Sequence, residues 1–501
     1  MVNGQITMGS LIGIARAGGF DTAPWRQRAA LPLGVPPAPP TPPVPGQVST
    51  YHPVDWSVHG DIRNARYFAA MFRGRMLYIH GHNKWLRWSD DRWVLCDQGQ
   101  EIEAAKQAAQ AMMADAAASL AVDQDKGKWR VREAVAAHHL ARLTATLKLA
   151  QSEPGMSVGP TDLDANPSLL GVGNGVVDLK SGALIANRPD MLITRHCAAN
   201  FDMAATCSRW LQFMPEVFGG DAATIETVQR LLGYTLTGLN TEEIIVFCSG
   251  FGANGKSIFG NIVNRIIANY SKVAPHSLLA ARRRDDHGPR GDIAMLEGAR
   301  LVSVNELPGG MQLDEQAVKA LAGREPISAR ELYEGFRTFE PQFTVWVRTN
   351  HRPIIKGDDD GIWRRIVVLP FRQKFEGARC DKHLEVKLWA ERDGILRWMI
   401  EGAGKYLTSN SLGFSPAIRA EQRQYRSDSD LLGEFLADCT VADPASRVLD
   451  KELFAKWGHW CNDNGHRAGT KNTFTQRLAE RGFPIKPSNG RKFYSGLRAV
   501  P

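Results

Sequence analysis

Residues Gly250–Ser257 read G-F-G-A-N-G-K-S and follow directly on an apolar run, Ile244–Cys248. No other feature constrains this chain as strongly. The order of apolar strand, glycine turn and helix is the phosphate-binding pattern G-x-x-x-x-G-K-[ST]. Gly250, Gly252 and Gly255 let backbone N–H groups curl around phosphate oxygens, with Asn254 completing the loop. Lys256 is placed to reach the β- and γ-phosphates, and Ser257 to set a hydroxyl on Mg²⁺. A helix from about Ser257 to Ile267 aims its positive N-terminus at the anion. The chain is therefore expected to bind and hydrolyse a nucleoside triphosphate, with ATP and Mg²⁺ as cofactors. The loop alone does not say what the hydrolysis drives.

A phosphate loop also needs a carboxylate at the end of a neighbouring strand, to manage the metal and activate water. The apolar run Arg300–Val304 leads into Asn305-Glu306. Glu306 is the expected general base and, with Ser257, the expected neighbour of the metal. Asn305 stands where a second carboxylate is often found, and a neutral amide puts it at most in the outer shell. A further run, Phe343–Val347, leads into Arg348-Thr349-Asn350. Asn350 is expected between the first two strands, orienting water against the γ-phosphate. Residues 358–365 read D-D-D-G-I-W-R-R and run into I-V-V-L-P-F. Arg365 first, and Arg364 second, suit a finger inserted into a neighbouring copy's site. The alternative is a pair of surface arginines held by local acids.

A chain of 501 residues implies more than one domain. The expected division is a Pro-rich disordered segment over 1–50, a mixed domain over 51–207, an α/β nucleotide-binding domain over 208–420 and a small basic domain over 421–501. Between Pro32 and Pro45 eight of fourteen positions are proline, which favours an extended tether. Three tryptophans, Trp85, Trp88 and Trp93, lie in short alternating strands around a turn at Ser89–Asp91, and suit a core or hairpin face better than base stacking. No apolar stretch reaches the roughly 18 residues of a membrane span. The seven cysteines are scattered without a C-x-x-C pair, which points away from disulfide or zinc frameworks and toward a reducing cytoplasm.

The basic balance is concentrated at one end. Residues 464–501 hold eight Lys and Arg against one acid, Glu480, or 8 − 1 = +7. That is the footprint of a polyanion partner. Helical patterns over Leu431–Cys439, Asp450–Asn464 and Thr470–Arg481, followed by a two-stranded ribbon, predict a winged helix. Its recognition helix would present Lys471, Asn472, Gln476 and Arg477, and its wing Lys486, Arg491 and Lys492.

Together these segments resemble superfamily 3 helicases, in particular the phage, plasmid and poxvirus-type primase-helicases. The likeness rests on the Asn-Gly-Lys-Ser loop, the strand ends at Glu306 and Asn350, W-R-R-I-V-V-L-P-F, and residues 319–341. Trp85–Trp93 and N-G-V-V-D at 174–178 resemble that family's N-terminal helicase-associated domain, and the last 75 residues its winged helix. The resemblance implies an AAA+ P-loop core between those two domains, assembled as a homo-oligomeric ring, a hexamer, moving 3′ to 5′ on single-stranded or forked DNA. It implies a hairpin near Arg330–Arg337 gripping the strand, with Arg330, Tyr333 and Arg337 suited to contact and Lys319 a further candidate. The family's usual G-G-D is Gly323-Arg324-Glu325 here. With about 50 residues ahead of the first domain, the chain is expected not to prime on its own, and a separate primase or initiation protein becomes an expected partner. The setting implied is the cytoplasm of a bacterial host of a phage or mobile element. A switch that binds or melts an origin without unwinding is the competing reading. A metabolic P-loop kinase is a third, disfavoured by the basic tail and the Arg364-Arg365 pair.

Overall fold

The computed structural model describes residues 53–281, 291–330, 336–355, 360–466, 468–488 and 490–500. Contacts within the chain divide it into two units. One runs to Ala205 and takes in residues 266–270; the other holds the rest from Thr206 onward.

The first unit begins with helix α1 (Gly60–Phe72) and a meander of β1 (Met76–Ile79), β2 (Lys84–Ser89) and β3 (Arg92–Leu95). Asp90 and Asp91 join β2 to β3 with φ of 50° and 56°. Positive φ at both central residues matches the twist of the flanking strands, and aspartate tolerates it better than most residues. The turn lies where the sequence indicates it. Trp85 and Trp93 are buried, so these rings serve the core. Helices α2 (Gln100–Ser119), α3 (Gln124–Ala136) and α4 (Leu140–Ala150) follow, and β4 (Ser157–Val158) joins β1 in parallel. Alanines 104, 105, 108 and 109, with Met112 and Met113, bury one stripe of α2. A second antiparallel sheet comprises β5 (Leu169–Val172), β6 (Gly175–Asp178) and β7 (Ala183–Ile185). The helical composition of Arg130–Gln151 hides a break. His139 adopts an extended conformation ahead of α4, so two helices form in place of one.

The second unit opens with α5 (Ser208–Phe218) and α6 (Ala222–Thr237), which lead to β8 (Ile245–Ser249) and α7 (Lys256–Ile267). Then come β9 (Ser271–Ala274), α8 (Gly291–Ala294), β10 (Leu301–Asn305), α9 (Glu315–Ala322), β11 (Ile327–Arg330), β12 (Phe336–Phe339), β13 (Thr344–Thr349), α10 (Asp360–Trp363) and β14 (Ile366–Pro370). Five of these strands form a parallel sheet in the order β14-β8-β13-β10-β9. The four apolar runs read from the sequence are its buried strands, as parallel sheets covered on both faces require. The fifth, β9, was not foreseen: Ser271-Lys272-Val273-Ala274 sits half-exposed at the edge and has no apolar run to reveal it.

Helices α11 (Leu384–Ala390), α12 (Arg392–Ser409) and α13 (Pro416–Asp428) close the core. Leu384–Leu407 reads as one helical segment, but the chain breaks it at Glu391. That carboxylate accepts the N–H groups of Arg209 and Trp210, at 3.0 and 3.1 Å, and so satisfies the orphan donors at the start of α5. Helices α6 and α12 meet backbone to backbone. A Cβ on Gly233 would lie 2.0 Å from the nitrogen of Ala403, and one on Gly402 would lie 2.1 Å from the carbonyl oxygen of Gln229.

The chain ends in α14 (Leu431–Cys439), β15 (Thr440–Leu449), α15 (Asp450–Asp463), α16 (Lys471–Glu480), β16 (Ile485–Ser488) and β17 (Arg491–Ala499). The sheet has three antiparallel strands, β15-β17-β16, where a two-stranded ribbon was expected. Strand β15 escapes notice because it is largely exposed, contains Pro444 and shifts register between Ala442 and Arg447. Phe435, Leu453, Trp457, Phe474, Leu478 and Tyr494 fill this region's own core.

Gly233→Val should wedge α6 from α12 and lower stability by about 1–3 kcal/mol, the usual cost of overpacking, measured by urea denaturation.

Candidate nucleotide-binding site

Strand β8 is hydrogen-bonded on both sides, to β13 and to β14. Its carboxyl end is therefore fixed, and the loop after it departs from a rigid point. The loop is held against the segment following β14: Phe371 and Phe375 donate their N–H groups to the carbonyls of Ser249 and Ala253, at 2.8 and 2.7 Å. A Cβ on Gly250 would lie 2.1 Å from the Phe371 carbonyl oxygen, so only glycine fits this approach. Around Gly252 a Cβ would meet nothing within 4 Å, which leaves room for a ligand. Gly255 has φ of 84° and turns the chain into α7.

Gly252, Asn254, Gly255, Lys256 and Ser257 line an open cleft of about 470 Å³, together with Glu306, Arg348 and Asn350. The structure thus brings together residues drawn from three separate stretches of sequence. Lys256 is buried, and its ammonium donates to the Gly250 carbonyl, to Asn254 Oδ1 at 3.1 Å and to Asn350 Oδ1 at 3.0 Å. Every acceptor is neutral. Burial pulls the Lys256 pKa below its ordinary value. The Lys256 ammonium thus has no carboxylate among its hydrogen-bond partners, a condition that favours an incoming anion.

Asn350 lies just beyond β13, the strand between β8 and β10. That is the position expected for it, between the first strand and the one that leads to Glu306. Glu306 is exposed and takes a left-handed conformation with φ of 54°, while its N–H donates to the Arg348 carbonyl at 2.9 Å. Such backbone strain in a non-glycine residue, on the order of 1–3 kcal/mol, gathers at working sites.

Arg348 was passed over in the sequence, although a cation at the end of an apolar strand was the available signal. Its guanidinium donates to Asn305 Oδ1 at 2.8 Å, to the Ser257 carbonyl at 3.1 Å and to Asn261 Oδ1 at 2.9 Å. Burial, the largest cause, draws its pKa down, while Cys248 and Glu306 oppose the shift. Asn305 therefore spends its side-chain carbonyl on Arg348. Phe375, Arg379, Cys380 and Asp381 also line the cleft. No spacing in the sequence announces them, because they arrive by the crossing of the chain after β14.

A metal would rest on the Ser257 hydroxyl, the phosphates and Glu306. Among the described residues no group of three or more His, Cys, Asp and Glu side chains could hold one by itself. A second cleft on the far side of the loop includes Phe251, Arg352, Arg372 and Glu421. There the Glu421 carboxylate already pairs with both arginines, so its charges are met.

The two candidate finger arginines lie elsewhere. Arg365 precedes β14, whose Ile366 pairs with Ile245 while Pro370 pairs with Ser249. The arginines are thus at the amino end of the sheet and the loop at its carboxyl end, roughly 13 Å of strand apart. Both pair with Glu243. Of the proposed strand-gripping residues, Arg330 is exposed at the end of β11, which pairs with β12 in an antiparallel hairpin. Tyr333 and the side chain of Arg337 lie outside the described residues. Lys319 is half-buried on α9.

In the basic tail, Lys471 pairs with Asp450, Arg481 with Asp430 and Arg498 with Asp443. The excess of +7 is therefore partly met by acids from before the tail. Gln476 donates to Glu480 at 2.9 Å, and Arg477 is half-buried on the same helix. Lys486, Arg491 and Lys492 stand exposed on the β16–β17 hairpin.

A parallel sheet, a glycine loop opening a helix, and two polar strand ends facing it define a phosphate-loop α/β protein. The comparisons narrow that class. Residues 65–219 match the family described as D5 N terminal like, 248–365 a family of unknown function (DUF5906) and 427–486 the family described as Poxvirus D5 protein-like. The chain is 29% identical over 325 residues to "Putative helicase L207/L206" of Acanthamoeba polyphaga mimivirus, covering 60% of this chain and 34% of that one. It is 23% identical over 280 residues to "Putative helicase 022R" of Frog virus 3, covering 52% and 29%. It is 24% identical over 329 residues to "Putative primase C962R" of African swine fever virus, covering 60% and 34%. The chain spans about a third of the length of these relatives. Two of the three domain matches are thus to D5-type models, and these relatives are named as helicases and a primase. A solved structure, the apo C-terminal region of NrS-1, aligns over 87% of this chain and 99% of its own at 8% identity, with a TM-score of 0.45, too low to bear on the fold. No helix among the described residues is long and apolar enough to cross a membrane.

A triphosphate bound in the loop favours the Lys256 ammonium, whereas the empty cleft penalises it. Binding should therefore take up a proton at pH values above the depressed pKa, and affinity should fall as pH rises through that range. Calorimetric titration in two buffers of different ionisation heat checks this.

Proposed function

We propose that this chain is the ATP-hydrolysing part of a replicative DNA helicase of a virus-like or other mobile element. On this reading it works as an AAA+ ring, a hexamer, drawn 3′ to 5′ along one DNA strand. The observation that carries the reading is the convergence of Lys256, Ser257, Glu306 and Asn350 on one cleft, with Arg364 and Arg365 at the opposite end of the same sheet.

Bound Mg²⁺ would neutralise charge on the β- and γ-phosphates. The backbone N–H groups of the loop and the Lys256 ammonium hold the phosphates. The Glu306 carboxylate takes a proton from the attacking water. Asn350, released from Lys256 when the ammonium turns to the phosphate, orients that water. Arg348 keeps Asn305 and the start of α7 in place, a positioning role. Arg364 and Arg365 stand too far away to act on the chain's own phosphates, so they act on a neighbour's. A head-to-tail contact of this kind closes into a ring when the rotation allows it. Exposure reverses the sequence ranking: the Arg365 side chain is 12% exposed and that of Arg364 66%. Arg364 is the better placed of the two to reach another chain.

The order helix, strand, helix, helix and hairpin after Asp430 supports a winged helix in which Lys486, Arg491 and Lys492 meet phosphates. The exposed basic hairpin also favours a second reading, a factor that binds or melts an origin without processive unwinding.

Glu306→Gln should lower DNA-stimulated ATP hydrolysis by about 10²–10⁴-fold, the range for loss of a catalytic proton acceptor; Lys256→Ala should lower it through lost phosphate binding; and both should abolish strand displacement on a forked duplex. Wild-type protein that hydrolyses ATP on DNA yet never displaces a strand would favour the second reading. Replacing Arg491 and Lys492 together by Ala should weaken duplex binding evenly across sequences and reduce the salt slope of log K by about 1–2 in fluorescence titrations.

A further inference from the structure

Glu243 takes a left-handed conformation, φ 51°, just ahead of β8. Three guanidinium groups from two distant parts of the chain converge on its carboxylate. Arg365 pairs with Oε2, Arg364 approaches the same oxygen at 3.4 Å and Arg324 approaches Oε1 at 3.7 Å. Among the described residues one carboxylate thus faces three cations, and these four side chains together carry 3 − 1 = +2. Arg365 also donates to the Gly361 carbonyl at 2.6 Å, and its Nε is buried with no hydrogen-bond partner. Arg324 is one of two residues, with Glu325, that depart from the family's G-G-D pattern. It donates to the Thr241 carbonyl at 2.8 Å, while Asn240 donates to the carbonyl of Gly323 beside it.

This arrangement is overcharged for a structural ion pair, since a single arginine would satisfy Glu243. A surplus of convergent guanidinium groups is what binds a multiply charged anion. The cluster's own phosphate loop is out of reach at the other end of the sheet. The anion complementary to it is therefore the triphosphate held at the carboxyl end of the sheet in a second copy.

We propose that Arg324, Arg364 and Arg365 form a three-cation receptor for the nucleotide of a neighbouring copy, and that Glu243 is an internal counter-ion which occupies this receptor until the nucleotide displaces it. The proposal rests on the reading of the ATPase site as shared between copies. In the isolated chain Glu243 stands in for the neighbour's phosphate oxygens and holds the arginines in an idle position. When a loaded neighbour arrives, its triphosphate, carrying more negative charge, outcompetes the single carboxylate. Arg324 and Arg364, with side chains 61% and 66% exposed, move first, and the more buried Arg365 stays as the anchor. Assembly is thereby tied to nucleotide occupancy.

The test is steady-state ATP hydrolysis by the full chain over a range of protein concentrations, with released phosphate as readout. If the counter-ion competes, Glu243→Gln reaches its half-maximal rate at a protein concentration several-fold below wild type. Glu243→Asp keeps the charge but shortens its reach, and shifts the curve in the same direction by less; it serves if the Gln variant does not fold. Arg324→Ala moves the half-maximal concentration upward. A curve for Glu243→Gln or Glu243→Asp that is unmoved, or moved to higher concentration, would overturn the proposal and leave Glu243 a plain structural partner. The parent reading is tested separately by mixing two inactive chains. Lys256→Ala supplies arginines, and the double replacement of Arg364 and Arg365 by Ala supplies an intact cleft. If the mixture regains no activity, the shared site itself fails, whatever Glu243 does.

Discussion

Everything at the candidate site depends on β8 being held from both sides. Its pairing with β13 and β14 leaves no free edge, so the loop at its carboxyl end starts from a fixed point. The same pairings carry Asn350 to one flank of the loop and Phe371 to the other. Phe371 then presses against Gly250, and Asn350 reaches Lys256. A slip of the β8–β13 register would separate the lysine from the amide and leave a buried ammonium with fewer acceptors, at a cost of about 1–3 kcal/mol for the lost partner. The sheet thus sets the electrostatics of the cleft as well as its shape.

Charge in the nucleotide-binding unit is arranged along the strand axis. At the carboxyl end a buried ammonium has only neutral hydrogen-bond acceptors, and at the amino end three guanidinium groups share a single carboxylate. Among the described residues neither set of cations is paired one for one with carboxylates. A multivalent anion would relieve both, and on the proposed reading one triphosphate between two copies would touch both at once. This polarity supplies a physical motive for the head-to-tail association proposed above, which the D5-type domain matches do not address.

The candidate cleft was legible in the sequence to a large degree. The loop, Glu306 and Asn350 all come at the ends of short apolar runs, and a parallel sheet collects such ends on one edge. Arg348 was harder to see, because its role depends on three acceptors from α7 and β10 that no local pattern places nearby. Phe375 and Arg379 were invisible for the same reason. The basic tail read as a uniform patch, whereas folding pairs Lys471, Arg481 and Arg498 with acids that precede the tail and leaves the hairpin cations exposed. Strands β9 and β15 were missed because edge strands with exposed faces lack the apolar signature that marks central ones.

By itself the sequence determined the phosphate loop, the four buried strands and the residues at their ends, since these rest on local chemistry: glycine freedom, apolar periodicity and a lysine at fixed spacing. Only the tertiary structure decided which charges meet. That Lys256 faces neutral acceptors, that Asn305 serves Arg348, and that Arg324, Arg364 and Arg365 converge on Glu243 all follow from strand order and chain crossings. Coulombic partners are set by distance in space, and distance in space is what one-dimensional spacing does not encode.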